Sequence, residues 1–88
     1  MNKERRKKII GILERMDEFI SIIEELKNVI EEVRDEEQEY LDNIPENLQT
    51  SEKYQKAESA VENLDSAFDF LDSIDLDELS NYLEESMN

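Results

Sequence analysis

The first half of the chain carries apolar residues at a regular helical spacing. Their positions alternate three and four residues apart, which is the spacing of an a/d heptad seam on an α-helix. The seam consists of Ile9, Ile12, Met16, Phe19, Ile23, Leu26, Ile30, Val33, Tyr40 and Ile44, and Glu37 interrupts it. The pattern predicts one long helix over about residues 3–43.

Additional apolar residues widen this seam between about residues 9 and 30. A contact between two helices needs only a narrow seam, so the extra width indicates more than one neighbour. We predict that two chains associate as a four-helix bundle through Ile10, Leu13, Ile20, Ile22 and Val29. The alternative is a third helix of the same chain that folds back and covers some of these residues.

The second half of the chain repeats the helical pattern. A second seam is formed by Tyr54, Ala57, Val61, Leu64, Phe68 and Leu71, and it predicts a helix over about residues 51–74. The step from Leu71 to Leu76 shifts the helical phase, and Asp75 followed by Glu78 resembles a capping box. Residues 75–87 are therefore predicted to form either a short third helix or an extension of the second.

The chain's single proline lies almost at its midpoint and predicts a turn over residues 44–50. Pro45 disfavours helical geometry at the residue before it, and Asn43 is a candidate N-cap for a new helical turn. If the chain folds back near residue 47, Val33 lies opposite Val61 and Ile30 opposite Leu64. The predicted fold is all-α. It is a long antiparallel helical hairpin, coiled-coil-like, with a short third segment, in a single helical domain over residues 1–88 that dimerises as a four-helix bundle.

The composition excludes several classes of protein. A chain of 88 residues allows one domain, and the absence of cysteine excludes disulfides and thiolate chemistry. The basic N-terminus is not followed by the apolar run and small-residue cleavage site of a signal peptide, and no segment approaches the roughly 20 apolar residues that span a bilayer. We expect a cytoplasmic protein with no membrane partner.

The sequence offers little catalytic equipment. It has no histidine and one glycine, so an imidazole base and a phosphate-cradling glycine loop are both missing. The acidic run Asp72–Glu78 lacks the glycine and spacing of a calcium loop. The basic cluster of residues 3–8 is expected to pair with Glu84 and Glu85 of the same chain rather than bind nucleic acid directly. We predict a non-enzymatic protein without a metal site or cofactor.

The net charge of −15 is the strongest compositional feature. Duplex DNA carries one charge per ~1.7 Å, and a dimer of charge −30 (twice −15) would approach that density. The hypothesis is a decoy for a basic protein that normally binds nucleic acid. Its predicted acidic face is Glu31, Glu32, Asp35, Glu36, Glu37, Glu39 and Asp42. One alternative is a structural or assembly module that binds a partner helix through its apolar face; another is that the acids only confer solubility.

One segment resembles known proteins. The stretch "YLDNIPENLQTSEKYQKAE", followed by the helix "A..NLDSAFD", is similar to a family of small acidic helical proteins of Gram-positive phages and mobile elements. The resemblance covers residues 36–74 and transfers no functional residue. It implies a setting in which small acidic inhibitors of host defence are common, and it therefore favours the decoy hypothesis. If a phage encodes the protein, its expected location is the host cell cytoplasm.

Overall fold

The computed structural model describes residues 1–88 and confirms that the chain is all-α. It contains three α-helices and one 3-10 turn, with no strand. Helix α1 covers Lys3–Asp42, the 3-10 turn covers Glu46–Leu48, α2 covers Glu52–Asp72 and α3 covers Asp77–Ser86. The molecule measures 70 × 16 × 13 Å. No helix of the structure has the length and apolar character needed to cross a membrane.

The connection between α1 and α2 differs from the prediction at Asn43. The backbone N–H of Asn43 donates to the carbonyl oxygen of Glu39 at 3.1 Å, so this residue closes α1. Pro45, with φ of −58°, then starts the 3-10 turn, and Ser51 caps α2 by accepting a hydrogen bond from the backbone N–H of Tyr54 at 3.2 Å. The prediction of Asn43 as an N-cap was wrong because its backbone N–H still has a helical acceptor.

The core lies beside this connection. Leu41 of α1 packs with Ala57 and Val61 of α2, and the half-buried Ile44 and Tyr54 close the cluster. Farther along α1, Met16 and Ile23 are the only other buried residues. The most complete packing is therefore at the end of the molecule where the chain turns.

Helix α2 runs back along α1. Arg34 Nε lies 2.9 Å from Asp65 Oδ1, and Lys27 Nζ lies 2.7 Å from Asp72 Oδ1. Between these two ion pairs the residue number increases on α1 and decreases on α2, so the two helices are antiparallel. Compared with the predicted register, α2 is displaced by about one helical turn. Both ion pairs place the centre of the fold-back between residues 49 and 50 rather than at residue 47.

Helix α3 continues the returning arm along the N-terminal half of α1. Leu76 and Leu79 line an open apolar groove with Ile12, Met16 and Phe19. The break before α3 follows Ser73, and the Asp75 carboxylate accepts a hydrogen bond from the backbone N–H of Asp77 at 2.9 Å. Glu78 is not a capping-box partner here, because it accepts a hydrogen bond from the Tyr82 hydroxyl at 3.0 Å instead.

Candidate functional site

One side of α1 is a regular row of exposed apolar side chains. We name this row the exposed stripe; it consists of Ile12, Phe19, Ile22, Leu26, Val29, Val33 and Tyr40. Each of the seven keeps between 44% and 56% of its surface exposed. Steps of three, four and seven residues keep them on one side of an α-helix, about a quarter-turn from the side that contacts α2. Helix α1 therefore has a second heptad seam that the chain's other helices leave largely open.

Helix α2 adds apolar surface next to the exposed stripe. Ala60, Ala67 and Phe70 are displaced from the α1-contacting side of α2 in the same rotational sense as the stripe on α1. Two antiparallel helices are related by an approximate two-fold axis normal to their plane, so equal displacements point to the same side of the pair. Phe70 is 71% exposed at the outer edge. The small alanines keep this side of the helix pair flat.

The five residues predicted for self-association do not share one surface. Ile22 and Val29 belong to the exposed stripe, whereas Ile10 is exposed on another side of α1. Ile20 lines a groove against α2 with Leu71, and Leu13 is half-buried. The prediction missed most of the stripe because Ile12, Phe19, Leu26, Val33 and Tyr40 were assigned to the contact with α2. Their recurrence every seven residues, together with Ile22 and Val29, was the signal available in the sequence.

Acidic side chains occupy the opposite side of the helix pair. We name this surface the acidic side; it consists of Glu31, Glu32, Asp35, Glu39 and Asp42 on α1 and Glu58, Glu62, Asp65, Asp69 and Asp72 on α2. All ten residues are exposed. Their helical positions are displaced from the α1–α2 contact in the rotational sense opposite to that of the exposed stripe. The two helices together are thus amphipathic, with one apolar side and one acidic side.

The structure separates two members of the predicted acidic face from the others. Glu37 is half-buried and lies on the seam towards α2. Glu36 is exposed but falls at the edge of the exposed stripe, where the heptad spacing of Ile22 and Val29 continues. Within the acidic side, Asp42 accepts a hydrogen bond from Gln38 Nε2 at 2.8 Å. The other five predicted acids lie on the acidic side together with five acids of α2 that the prediction did not include.

Two cations join α1 to the edge of the acidic side. The hydrogen bond from Lys27 to Asp72 raises the pKa of Lys27, and the hydrogen bond from Arg34 to Asp65 raises the pKa of Arg34. Partial burial of each cation opposes the rise. Lys27 also lies 5.3 Å from the centroid of the Phe68 ring, within the range of a cation–π contact. These contacts hold both cations at the α1–α2 contact, where 14% of the Lys27 side chain and 32% of the Arg34 side chain stay accessible to solvent.

The basic cluster at the N-terminus is not paired within the chain. Residues 3–8 are all exposed, and none of the five ion pairs in the structure involves them. The expected pairing with Glu84 and Glu85 is therefore absent. The displaced register contributes to this result, because it changes which residues of the two arms lie side by side. Lys3, Arg5, Arg6, Lys7 and Lys8 are left as free cations at one end of the molecule.

The site thus consists of three surfaces: the exposed stripe, the acidic side and the basic cluster. No group of three or more acidic side chains is arranged to hold a metal ion. Comparisons of the chain with protein-family models, with curated proteins and with solved structures give no match. The geometry and charge of these three surfaces are therefore the basis of the proposed function.

Proposed function

We propose that the chain is a non-enzymatic, acidic protein-binding module that acts as a decoy for a basic protein of its host. In this proposal it is a long antiparallel helical hairpin that dimerises as a four-helix bundle in the cytoplasm. The setting suggested by the similarity of residues 36–74 is a phage or mobile element that acts against its host. The partner would be a protein whose groove normally receives nucleic acid.

The observation that supports this proposal is the segregation of the acids. Ten exposed carboxylates lie on one side of the helix pair, opposite the exposed stripe. The molecule is 70 Å long, and a DNA duplex of that length carries about 40 charges. One chain carries −15 and a dimer carries −30 (twice −15), so a dimer comes within a factor of about 1.5 of the duplex. Association through the apolar sides would leave both acidic sides facing outward.

A salt-controlled capture experiment tests the decoy proposal. The immobilised protein is incubated with a lysate of a Gram-positive bacterium at 0.1 M and 0.5 M NaCl, and bound proteins are challenged with excess duplex DNA. We expect capture at low salt, displacement by DNA, and loss at 0.5 M salt, where the Debye length falls to roughly 4 Å. Capture that survives 0.5 M salt and excess DNA would contradict the proposal.

A matched pair of charge reversals locates the binding surface. Glu32→Lys with Asp35→Lys alters the acidic side, and Glu84→Lys with Glu85→Lys makes the same change of charge on α3. We expect the first pair to reduce capture by about tenfold or more, because each lost contact with a basic groove is a charge-assisted interaction. The second pair should retain most of the capture. Equal losses would mean that only net charge matters.

A second candidate function is a structural or assembly module. The exposed stripe favours it, because a regular heptad seam is the surface that accepts another helix. In this case a helix of a different protein occupies the stripe. Ile22→Lys should then abolish binding while salt has little effect, which is the reverse of the result expected for the decoy.

A further inference from the structure

We propose that the exposed stripe binds the same stripe of a second copy of this chain in antiparallel orientation. The basic cluster of each protomer then lies against the acidic turn end of the other. This inference rests on the dimer of the proposed function and adds its contact surface, its orientation and a role for the basic cluster.

The form of the stripe suits a second helix pair. The residues from Phe19 to Val33 follow steps of three and four without a polar interruption. On α2, the small side chains of Ala60 and Ala67 lie next to the exposed stripe. The apolar sides of two protomers can therefore approach each other closely. The pattern centres on Leu26, which makes it suitable for an interface in which the same residues occur on both partners.

The size of this surface is at the lower end of the range for a stable dimer. The stripe extends about 40 Å from Ile12 to Tyr40 at the α-helical rise. The helix pair is 16 Å wide. Treated as a flat rectangle, these dimensions give on the order of 600 Å² of contact per protomer. A standard protein–protein interface buries about 800 Å² per partner. Seven half-exposed apolar side chains per protomer would be removed from water.

Charge complementarity selects a second copy in antiparallel orientation. Residues 3–8 contain five basic residues and one acid, whereas residues 36–52 contain six acids and no base. A two-fold axis near Leu26–Val29 brings residues 3–8 of one protomer to the turn end of the other. A parallel pair would instead bring the two basic clusters together and the two acidic ends together. Like charges at both ends would oppose that arrangement.

The first experiment measures mass in solution with matched variants. Multi-angle light scattering between 5 and 500 μM should give twice the chain mass of 10.4 kDa for the wild-type protein at the upper concentrations. Leu26→Lys, within the stripe, should raise the dissociation constant by about 100-fold or more. Ile10→Lys changes an equally exposed residue outside the stripe and should leave the dissociation constant within about twofold. Circular dichroism confirms that each variant remains helical, and Leu26→Ala, expected to weaken the dimer by about tenfold, replaces Leu26→Lys if that variant unfolds.

The second experiment measures orientation. The chain has no cysteine, so a nitroxide label can be attached to Glu14→Cys alone, at an exposed position outside the exposed stripe. Electron–electron distance measurements should find the two labels of an antiparallel dimer on the order of 40–50 Å apart, because residue 14 lies about 13 residues from the two-fold axis. A parallel dimer would give a distance below about 30 Å, since equivalent residues would then be neighbours.

The outcomes distinguish this inference from the proposed function. A wild-type protein that stays monomeric at 500 μM overturns the second-copy proposal and leaves the stripe to another protein's helix. A dimer that tolerates Leu26→Lys but not Ile10→Lys overturns the surface, and a short label distance overturns the orientation. None of these results depends on whether a basic host protein is captured, so the decoy proposal succeeds or fails separately.

Discussion

The two sides of α1 differ in what they carry and in what covers them. The side that α2 covers includes two cations, Lys27 and Arg34, beside Ile23 and Ile30. The uncovered side carries the exposed stripe, in which seven apolar residues recur at helical spacing. If the chain functioned without a partner, the continuous apolar row of α1 would be expected to pack against α2, and the cations would be expected on the side exposed to solvent.

This difference indicates how the apolar surface is divided between contacts. Only five residues of the 88 are buried, and three of them form the cluster at the turn end. Chains this short bury a modest core, and association with a second subunit is a common remedy. The contact within the chain is therefore expected to be locally strong near Leu41 and weak elsewhere, with the remaining apolar area available for the proposed dimer.

Replacing leucine by alanine on each of the two sides of α1 should give the largest difference in the free energy of unfolding. Leu41→Ala removes a buried side chain from the turn cluster and should lower the free energy of unfolding by about 3 kcal/mol at every protein concentration. Leu26→Ala changes a residue that is 48% exposed, and its effect should appear only in the part of the stability that depends on concentration. Urea unfolding followed by circular dichroism at two concentrations makes the comparison. Equal, concentration-independent losses would show that the two sides are not distinct.

A second pair of variants compares the two ends of the molecule. Ser51→Ala removes the hydrogen bond from the Tyr54 backbone N–H and should lower the free energy of unfolding by about 1 kcal/mol. Asn2→Ala removes the equivalent hydrogen bond from Arg5, but the first turn of α1 has no packed neighbour there. Its expected effect is a small local loss of helicity without a change in the urea midpoint. If both variants shift the midpoint equally, the N-terminal turn is more firmly held than its exposure indicates.

The smallest effect concerns the cations of the covered side. Asp72→Asn should bring the pKa of Lys27 down towards its ordinary value of 10.5, because the hydrogen bond to Asp72 is the largest cause of the rise. Since the folded-state pKa is raised, the contribution of this pair to stability is fully present below pH 10.5 and is lost as the pH rises through the raised pKa. Carbon-13 NMR titration of the Lys27 side chain measures the shift. An unchanged pKa in the variant would show that Asp72 is not the partner.

Helical periodicity was sufficient to predict the all-α class. The seam spacing, the proline at the midpoint and the phase slip after Leu71 each carried a local physical signal. The register was missed because it depends on where within the connection the chain reverses direction. Asn43 has the side chain of an N-cap, but its backbone N–H still reaches Glu39, and a local pattern does not reveal which of these prevails.

The arrangement of the candidate site was predictable only in part. The acids of residues 31–42 were identified, but their alignment with Glu58, Glu62 and Asp65 follows from the register and from the relative rotation of α1 and α2. The same rotation determined which half of the wide apolar surface stays uncovered. A wide apolar surface can pack against a neighbouring helix in more than one rotation. In addition, a hydrophobic pattern does not predict that two cations, Lys27 and Arg34, lie at the α1–α2 contact. The Lys27 ammonium lies there 5.3 Å from the centroid of the Phe68 ring and 2.7 Å from Asp72 Oδ1.

In the proposed dimer, two chains lie side by side with their apolar sides together and their acidic sides outward. Small-angle X-ray scattering of the wild-type protein at 200 μM distinguishes this arrangement from a monomer and from an end-to-end dimer. We expect a mass of twice 10.4 kDa with a longest dimension that stays close to the 70 Å of one chain. A mass of a single chain, or a doubled mass with a longest dimension near twice 70 Å, would contradict this arrangement.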